Sequence, residues 1–217
     1  MRGLKIGVLL LTIGSGLPDD AVTVRVGSTA TIIGWPPAQT LAVLNDGTNV
    51  NGLVVGLVYD PKYARVAAQR PEDLPPRCDW QAKTRPGVLC VGIACPAPIG
   101  GAPRTIVRLA VTGCRPGSTQ ISVAPGACPE DTCMVGYGAD DHSCVSGLEG
   151  TLTVSGALTC AGDCNRDGHV TIGEVRKCMS AYSGADVCTC PNADVSGDGR
   201  VGLGEVQQCV NHLLAGC

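Results

Sequence analysis

The sequence has no phenylalanine, and its two tryptophans and four tyrosines bring the aromatic share to only 3% of 217 residues. So poor a set disfavours sites that hold large ligands between stacked rings. Histidine is nearly as scarce, at three residues, which leaves few groups that titrate near neutral pH. No apolar run reaches the length of about eighteen residues that a membrane helix needs; the longest near the N-terminus is Ile6–Ile13. A polytopic helical membrane protein is excluded. Charged residues make up 16% of the chain, the net charge is −3, and lysine and arginine are dispersed. The clustered basic footprint of a nucleic-acid-binding protein is therefore missing.

What the chain has in quantity is glycine (30), proline (15) and cysteine (14). The cysteines are explained by the N-terminus. Arg2 and Lys5 precede Ile6–Ile13, and Gly14, Ser15 and Gly16 follow. This is the layout of a secretory signal, placed at residues 1–16. Export to the extracellular space or the cell surface makes disulfides the default use of the cysteines. The mature protein is expected to have no membrane span: no lipid-attachment cysteine or hydrophobic C-terminal tail marks an anchor.

Residues 21–155 read as all-β. Val22, Val24 and Val26 alternate with polar residues, and Leu53–Val58 is a continuous apolar run, as in a strand buried on both faces. Ile106–Val111, Ile121–Val123 and Leu152–Val154 are further short strands, separated by turn sequences such as Asn45-Asp46-Gly47, Asp60-Pro61 and Pro116-Gly117. No amphipathic helix stands out. The expected fold is a β-sandwich or jelly roll, with long loops around one or two strands between Pro71 and Pro103.

Residues 160–217 contain a repeat: Asp163–Glu174 and Asp194–Glu205 match with a period of 31 residues. Each copy has the order of a twelve-residue calcium loop. Calcium takes six to eight hard oxygen ligands, and Asp163, Asn165 and Asp167 offer side chains at positions 1, 3 and 5. Gly168 allows the turn at position 6, His169 offers its carbonyl, Thr171 acts through water, and Glu174 closes the shell with two oxygens. The second copy offers Asp194, Ser196, Asp198, the Arg200 carbonyl and Glu205. Ser196 is the poorer ligand and Gly202 has no side chain at position 9, so the second of the two Ca2+ sites is expected to be weaker. Val170 and Val201 at position 8 suit a back-to-back pairing. Gly162 and Pro191 oppose helices entering the loops, while Val175–Ser183 and Val206–Leu214 read as exit helices.

Two calcium loops with exit helices but no entering helices resemble a dockerin domain. The run Cys160-Ala-Gly-Asp-Cys-Asn165 and the ending Asn211-x-Leu-Leu-x-Gly-Cys217 are similar to a cysteine-bearing bacterial variety. Dockerins bind cohesins, which are nine-stranded jelly rolls, and the first half resembles a cohesin. Its features are the strand ending in Tyr59-Asp60-Pro61, the later Ile106–Gly113 and Gly117–Val123, and the closing Gly150–Val154. The many cysteines depart from that family.

The resemblance implies a non-enzymatic docking protein in an extracellular, polysaccharide-degrading complex, with cohesin- or dockerin-bearing partners or a second copy arranged head to tail. It carries a partner face onto Ile172 and Gly173, Leu203 and Gly204, with Met179 and Val210 extending it. The near-repeat also permits two binding orientations related by a half-turn. The alternative is a calcium-stabilised immunoglobulin-like adhesin or a carbohydrate-binding module, for which Trp35 and Trp80 are the candidate platforms. His142 in Asp140-Asp-His-Ser143 is the one cluster that suggests catalysis, and Cys133, His142 and Cys144 the one that suggests zinc; a surface loop with disulfides fits both better.

Three expectations concern the junction. With seven cysteines on each side, an odd number of bridges must cross it if all pair, and Cys160 is the expected crossing residue. Cys178 and Cys209, at matching helix positions, are expected to bridge each other. The stretch Ser155–Gly162 reaches about 28 Å at most, so folding the C-terminal unit back onto a lateral face of the sandwich is expected to be strained.

Overall fold

The computed structural model describes residues 23–33, 36–44, 50–99, 103–124, 126–128, 133–136, 142–144, 146–156 and 160–217. The signal segment 1–16 and Trp35 lie outside them.

The first part is a two-sheet sandwich. Strands β1 (Thr23–Val26), β3 (Ala38–Leu44), β5 (Ala64–Gln69), β8 (Arg104–Gly113) and β12 (Ser146–Leu148) form one sheet in the order β12-β1-β3-β8-β5. The second sheet runs β11 (His142–Cys144), β10 (Cys133–Gly136), β4 (Val50–Tyr59), β9 (Gly117–Val123), β13 (Gly150–Ser155), β2 (Thr29–Ile32). The hairpin of β6 (Asp79–Arg85) and β7 (Val88–Ala94) joins it through β7 on β4. That hairpin accounts for the proline-rich stretch, held at its base by the Cys78–Cys95 disulfide.

Sequence periodicity explains which side chains fill the sandwich. Along β13 buried and exposed residues alternate strictly, as a half-buried strand requires. The continuous apolar runs of β4 and β8 instead lie mid-sheet with few exposed positions. Leu44, Leu53, Leu57, Leu89, Ile106, Leu109, Ile121 and Leu152 are fully buried and form the core between the sheets. Tyr59 ends β4 with its hydroxyl accepting the Val66 amide, and Asp60 turns the chain by accepting the Lys62 amide.

The second part is built on two helices, α1 (Ile172–Tyr182) and α2 (Leu203–Ala215). Thr171 caps α1, with Glu174 reciprocating in a capping box. Gly202 has no side chain to cap α2, but the Glu205 carboxylate still accepts the Gly202 amide. Ahead of the second loop there are only two short 3-10 turns, Val187–Thr189 and Pro191–Ala193. Val170, Val175, Cys178, Ala181, Cys190, Ala193, Val201 and Cys209 form a separate small core, which places the two position-8 valines together.

Two expectations about cysteine need correction. Cys160 pairs with Cys217 within its own unit, and the bridge that crosses between the two parts is Cys114–Cys188. Cys178 and Cys209 face each other across the helix pair but are buried free thiols. The hydrogen bond to Cys209 and burial push the Cys178 thiol well up, so it stays protonated.

The expectation about strain concerned a lateral face, and the contact that forms is elsewhere. The C-terminal unit rests on its own sandwich, held by Cys114–Cys188, by Arg65 on Asp186 at 2.6 Å and by Arg115 on Asp194. The reason lies in the topology. The chain leaves the sandwich from β13, where Val154 pairs with Gly117, two residues from Arg115. The contact uses the β8–β9 turn and the β5 edge beside that exit, so the short junction has little distance to cover.

Candidate docking and metal-binding sites

The first loop is wound around its own carboxylates. Asp163 is 4% exposed and accepts the Asp167 and Gly168 amides, one on each oxygen. Glu174, 5% exposed, reaches back to the Cys164 and Asn165 amides with one oxygen and to Thr171 with the other. Gly168 sits at φ +86°, a left-handed conformation that costs glycine nothing. Asp167 is held below the usual carboxylate range by hydrogen bonds from Asn165 and from the His169 amide. Arg166 at position 4 also has positive φ, +61°, where the second copy has Gly197 at +74°.

The second loop repeats this geometry. Asp194 is 1% exposed, and its carboxylate takes the Gly197, Asp198 and Gly199 amides. Glu205 closes onto the Ser196 and Gly202 amides, and Gly199 has φ +96°. One contact of Asp194 has no counterpart at Asp163 among the described residues: the Arg115 guanidinium, from the β8–β9 turn, donates to the Asp194 carboxylate and to the Gly197 carbonyl. Arg115 is 8% exposed, so this ion pair is cut off from solvent. Nothing in the sequence around Arg115-Pro116-Gly117 marks it as a loop partner, because the contact spans 79 positions.

The donor sets are all oxygen, which suits a hard divalent cation, and the glycines and acidic residues stand where such a loop needs them. The three carboxylates of each loop, however, are not all within 4.8 Å of one another; their oxygens are turned to backbone amides. Among the described residues, only Cys160, His212 and Cys217 gather three soft or borderline ligands that closely, and the two sulfurs are joined in a disulfide. His212 Nδ1 lies 2.9 Å from the Ala161 carbonyl.

Of the expected partner face, Ile172, Met179 and Leu203 are exposed at 60%, 54% and 70%. Gly173 and Gly204 are exposed beside them. Val210 differs: it is half-buried and packs on the small core. Tyr182 and Leu214 are further exposed large apolar side chains on the same two helices, at helical spacing from Met179 and Leu203.

The rival chemistry finds little support. Trp80 packs against the sandwich core and donates to the Ile106 carbonyl at 3.1 Å, so it is not a free platform. A cavity of about 230 Å³ that Trp80 does not line is bounded by Val54, Gln81, Lys83 and the Cys90–Cys128 disulfide. His142 and Cys144 lie on β11, with Cys144 in register with Cys133 of β10; Asp140 and Asp141 fall outside the described residues.

Comparison with solved structures places the sandwich. The chain is similar to a chain of the CaDoc0917–CaCohA2 complex, at 16% identity and a TM-score of 0.51, covering 62% of this chain and 100% of that one. The sandwich is cohesin-like. The seventh ScaB type I cohesin of Pseudobacteroides cellulosolvens matches at 12% identity and TM-score 0.51, over 63% of this chain and 94% of that one. The structure of the third cohesin ScaC in complex with the ScaB dockerin of Acetivibrio cellulolyticus matches at 14% and 0.50, over 62% and 99%. At these identities the likeness establishes the fold of the cohesin-like part and gives nothing for the helix pair. No family model and no curated protein matches the chain.

Proposed function

We propose that this chain is an exported docking protein whose cohesin-like sandwich receives a dockerin-bearing partner, and whose C-terminal unit is a dockerin-like calcium module offered to a cohesin-bearing one. The observation that carries the reading is the cohesin-like sandwich; one of the matched structures is itself described as a cohesin in complex with a dockerin. The repeat of two acidic loops followed by helices supports the second half, as does the exposed row Ile172, Met179, Leu203. An extracellular assembly acting on polysaccharide is the setting that the resemblance implies.

Calcium would be held by Asp163, Asn165, Asp167, the His169 carbonyl and Glu174 in the first loop, and by Asp194, Ser196, Asp198, the Arg200 carbonyl and Glu205 in the second. It would supply charge neutralisation inside each loop and so stiffen the start of each helix. Because the C-terminal unit is tied to its own sandwich away from the exposed row, that row is left to face another molecule, either a foreign cohesin or the sandwich of a second copy in head-to-tail order. Contacts of that heterologous kind give open chains unless the rotation closes.

The test is mass measurement by light scattering of the mature protein with calcium and with chelator, together with titration against a panel of isolated dockerins and cohesins. Calcium-dependent growth in mass or capture of a panel member is expected. A monomer that binds neither class of module overturns the docking reading. Trp80's tie to the core speaks against the carbohydrate-binding alternative, so retention on polysaccharide is not expected.

A further inference from the structure

The two loops share a sequence pattern, yet the fold treats them differently. Asp163 accepts one backbone amide on each carboxylate oxygen, which leaves a lone pair on each for a metal ion. Asp194 carries five donors: Ser196 Oγ and the Gly197 and Asp198 amides on one oxygen, the Gly199 amide and Arg115 on the other. A carboxylate offers about four lone-pair directions, so this one is saturated. The guanidinium also takes the Gly197 carbonyl, and it approaches the loop closely enough that a side chain on Gly199 would come within 3.9 Å of it. Position 1 of the second loop thus already has a cation, supplied from the sandwich.

We propose that Arg115 is the resident cation of the second loop. This inference rests on the reading of both loops as calcium loops. The second loop then serves as the joint between the two parts of the chain, and the protein takes up one calcium ion readily, in the first loop. A second ion must displace a buried guanidinium from a buried carboxylate. That breaks a pair whose partners have both lost their hydration, a costly step, and brings two cations to one carboxylate. Occupation of the second loop by calcium and seating of Arg115 are therefore mutually exclusive, so calcium at high concentration loosens the joint that it would otherwise be expected to stiffen.

The experiment is calcium binding to the full disulfide-bonded chain, by calorimetry and native mass spectrometry, for the wild type, Arg115→Gln and Arg115→Lys. The wild type should bind one ion, with any second weaker by about a hundredfold or more. Arg115→Gln should gain affinity for the second ion by about tenfold or more, and Arg115→Lys, which keeps a positive charge there, should gain less. Hydrogen exchange at the Gly197, Asp198 and Gly199 amides gives a second readout in the wild type alone: it should be slow without calcium and quicken as calcium is raised past saturation of the first loop. Two ions bound with similar affinity by the wild type overturn the role of Arg115 while leaving the calcium loops in place. No ion bound by the wild type or by either variant overturns the calcium reading itself, and the proposal falls with it.

Discussion

The Cys114–Cys188 bridge should dominate the thermal stability of the C-terminal unit. Consider replacing both cysteines with serine while calcium is kept saturating. The bridge acts when the helix pair unfolds and the sandwich stays folded, so the loop it closes begins where the chain leaves β13 at Ser155, beside Cys114. The direct path from there to Cys188 is about 33 residues, for which the chain-entropy relation gives about 3.7 kcal/mol at 25 °C. The Cys164–Cys190 bridge offers a shorter route of about 11 residues, for which the same relation gives about 2.8 kcal/mol. The double variant should therefore lose about 3 kcal/mol, which for a unit of this size is a fall of about 15–25 °C in the helical melting transition. The Arg65–Asp186 pair cannot make up the loss, because its side chains are 32% and 40% exposed and such pairs are worth about 0–1 kcal/mol. Circular dichroism at a helix-specific wavelength measures the shift, and the strand signal serves as control. A helical transition that moves by no more than a few degrees refutes the reasoning, since it would mean that non-covalent contacts alone fix the unit on the sandwich.

Other outcomes follow from the same contacts. Glu174→Gln should weaken calcium binding in the first loop and, by loosening the start of α1, lower the helical melting point in calcium; an unaltered calcium titration would remove Glu174 from the ligand set. Leu57→Ala, at a fully buried mid-sheet position, should cost about 2–5 kcal/mol in denaturant unfolding of the sandwich, and a loss under 1 kcal/mol would contradict its place in the core. Burial pushes Asp186 up, but hydrogen bonds from Arg65 and the Cys188 amide outweigh it and hold the carboxyl below its usual value. Its contribution is therefore present above about pH 4, the unfolded value, and is lost as pH falls through the lower folded one. Carboxyl NMR should show its midpoint rise in Arg65→Ala, and no movement would dismiss the pair. Ile172→Asp and Leu203→Asp together should abolish calcium-dependent association by light scattering while leaving the circular dichroism unchanged; association that persists moves the docking face elsewhere.

Much of the sandwich was legible because its strands obey simple periodicity. Val50–Tyr59 and Arg104–Gly113 announce themselves as apolar runs, and Gly150–Ser155 as an alternation. Strands β5, Ala64–Gln69, and β6, Asp79–Arg85, were not singled out. Alanine, arginine and glutamine carry little strand signal, and these strands are defined by pairing with β8 and β7 rather than by local preference. The repeat itself was legible, because glycines such as Gly168 and Gly199 stand where the backbone turns to positive φ. What could not be read was everything that crosses between the two parts. Cys114 and Cys188 are separated by 74 positions, and which of fourteen cysteines meet depends on where β13 releases the chain. Arg115 lies in an ordinary turn sequence and acquires its role only because that turn sits beside the same exit.

These crossing contacts change what the repeat can do. On sequence alone the two copies are near equivalents, so a partner could engage them in either of two orientations. In the folded chain the sandwich holds copy two through Asp194 and Gly197, and holds the approach to it through Asp186 and Cys188. Copy one differs at the matching positions: the Asp163 carboxylate accepts the Asp167 and Gly168 amides of its own loop, and Arg166, in the place of Gly197, lies against Gly156 just past the end of β13. The helix rows diverge as well: Met179 on α1 is exposed, while its counterpart Val210 on α2 is half-buried against the small core. Half-turn symmetry is thereby broken from within the molecule. On the proposed docking reading, a partner that reads Ile172 and Met179 would find no matching pair on the second helix, which would favour one binding orientation. Fixing the C-terminal unit on its own sandwich would also fix the angle between the proposed docking row and that sandwich. Successive copies joined head to tail would then repeat one rotation, giving a regular open array in place of a flexible string.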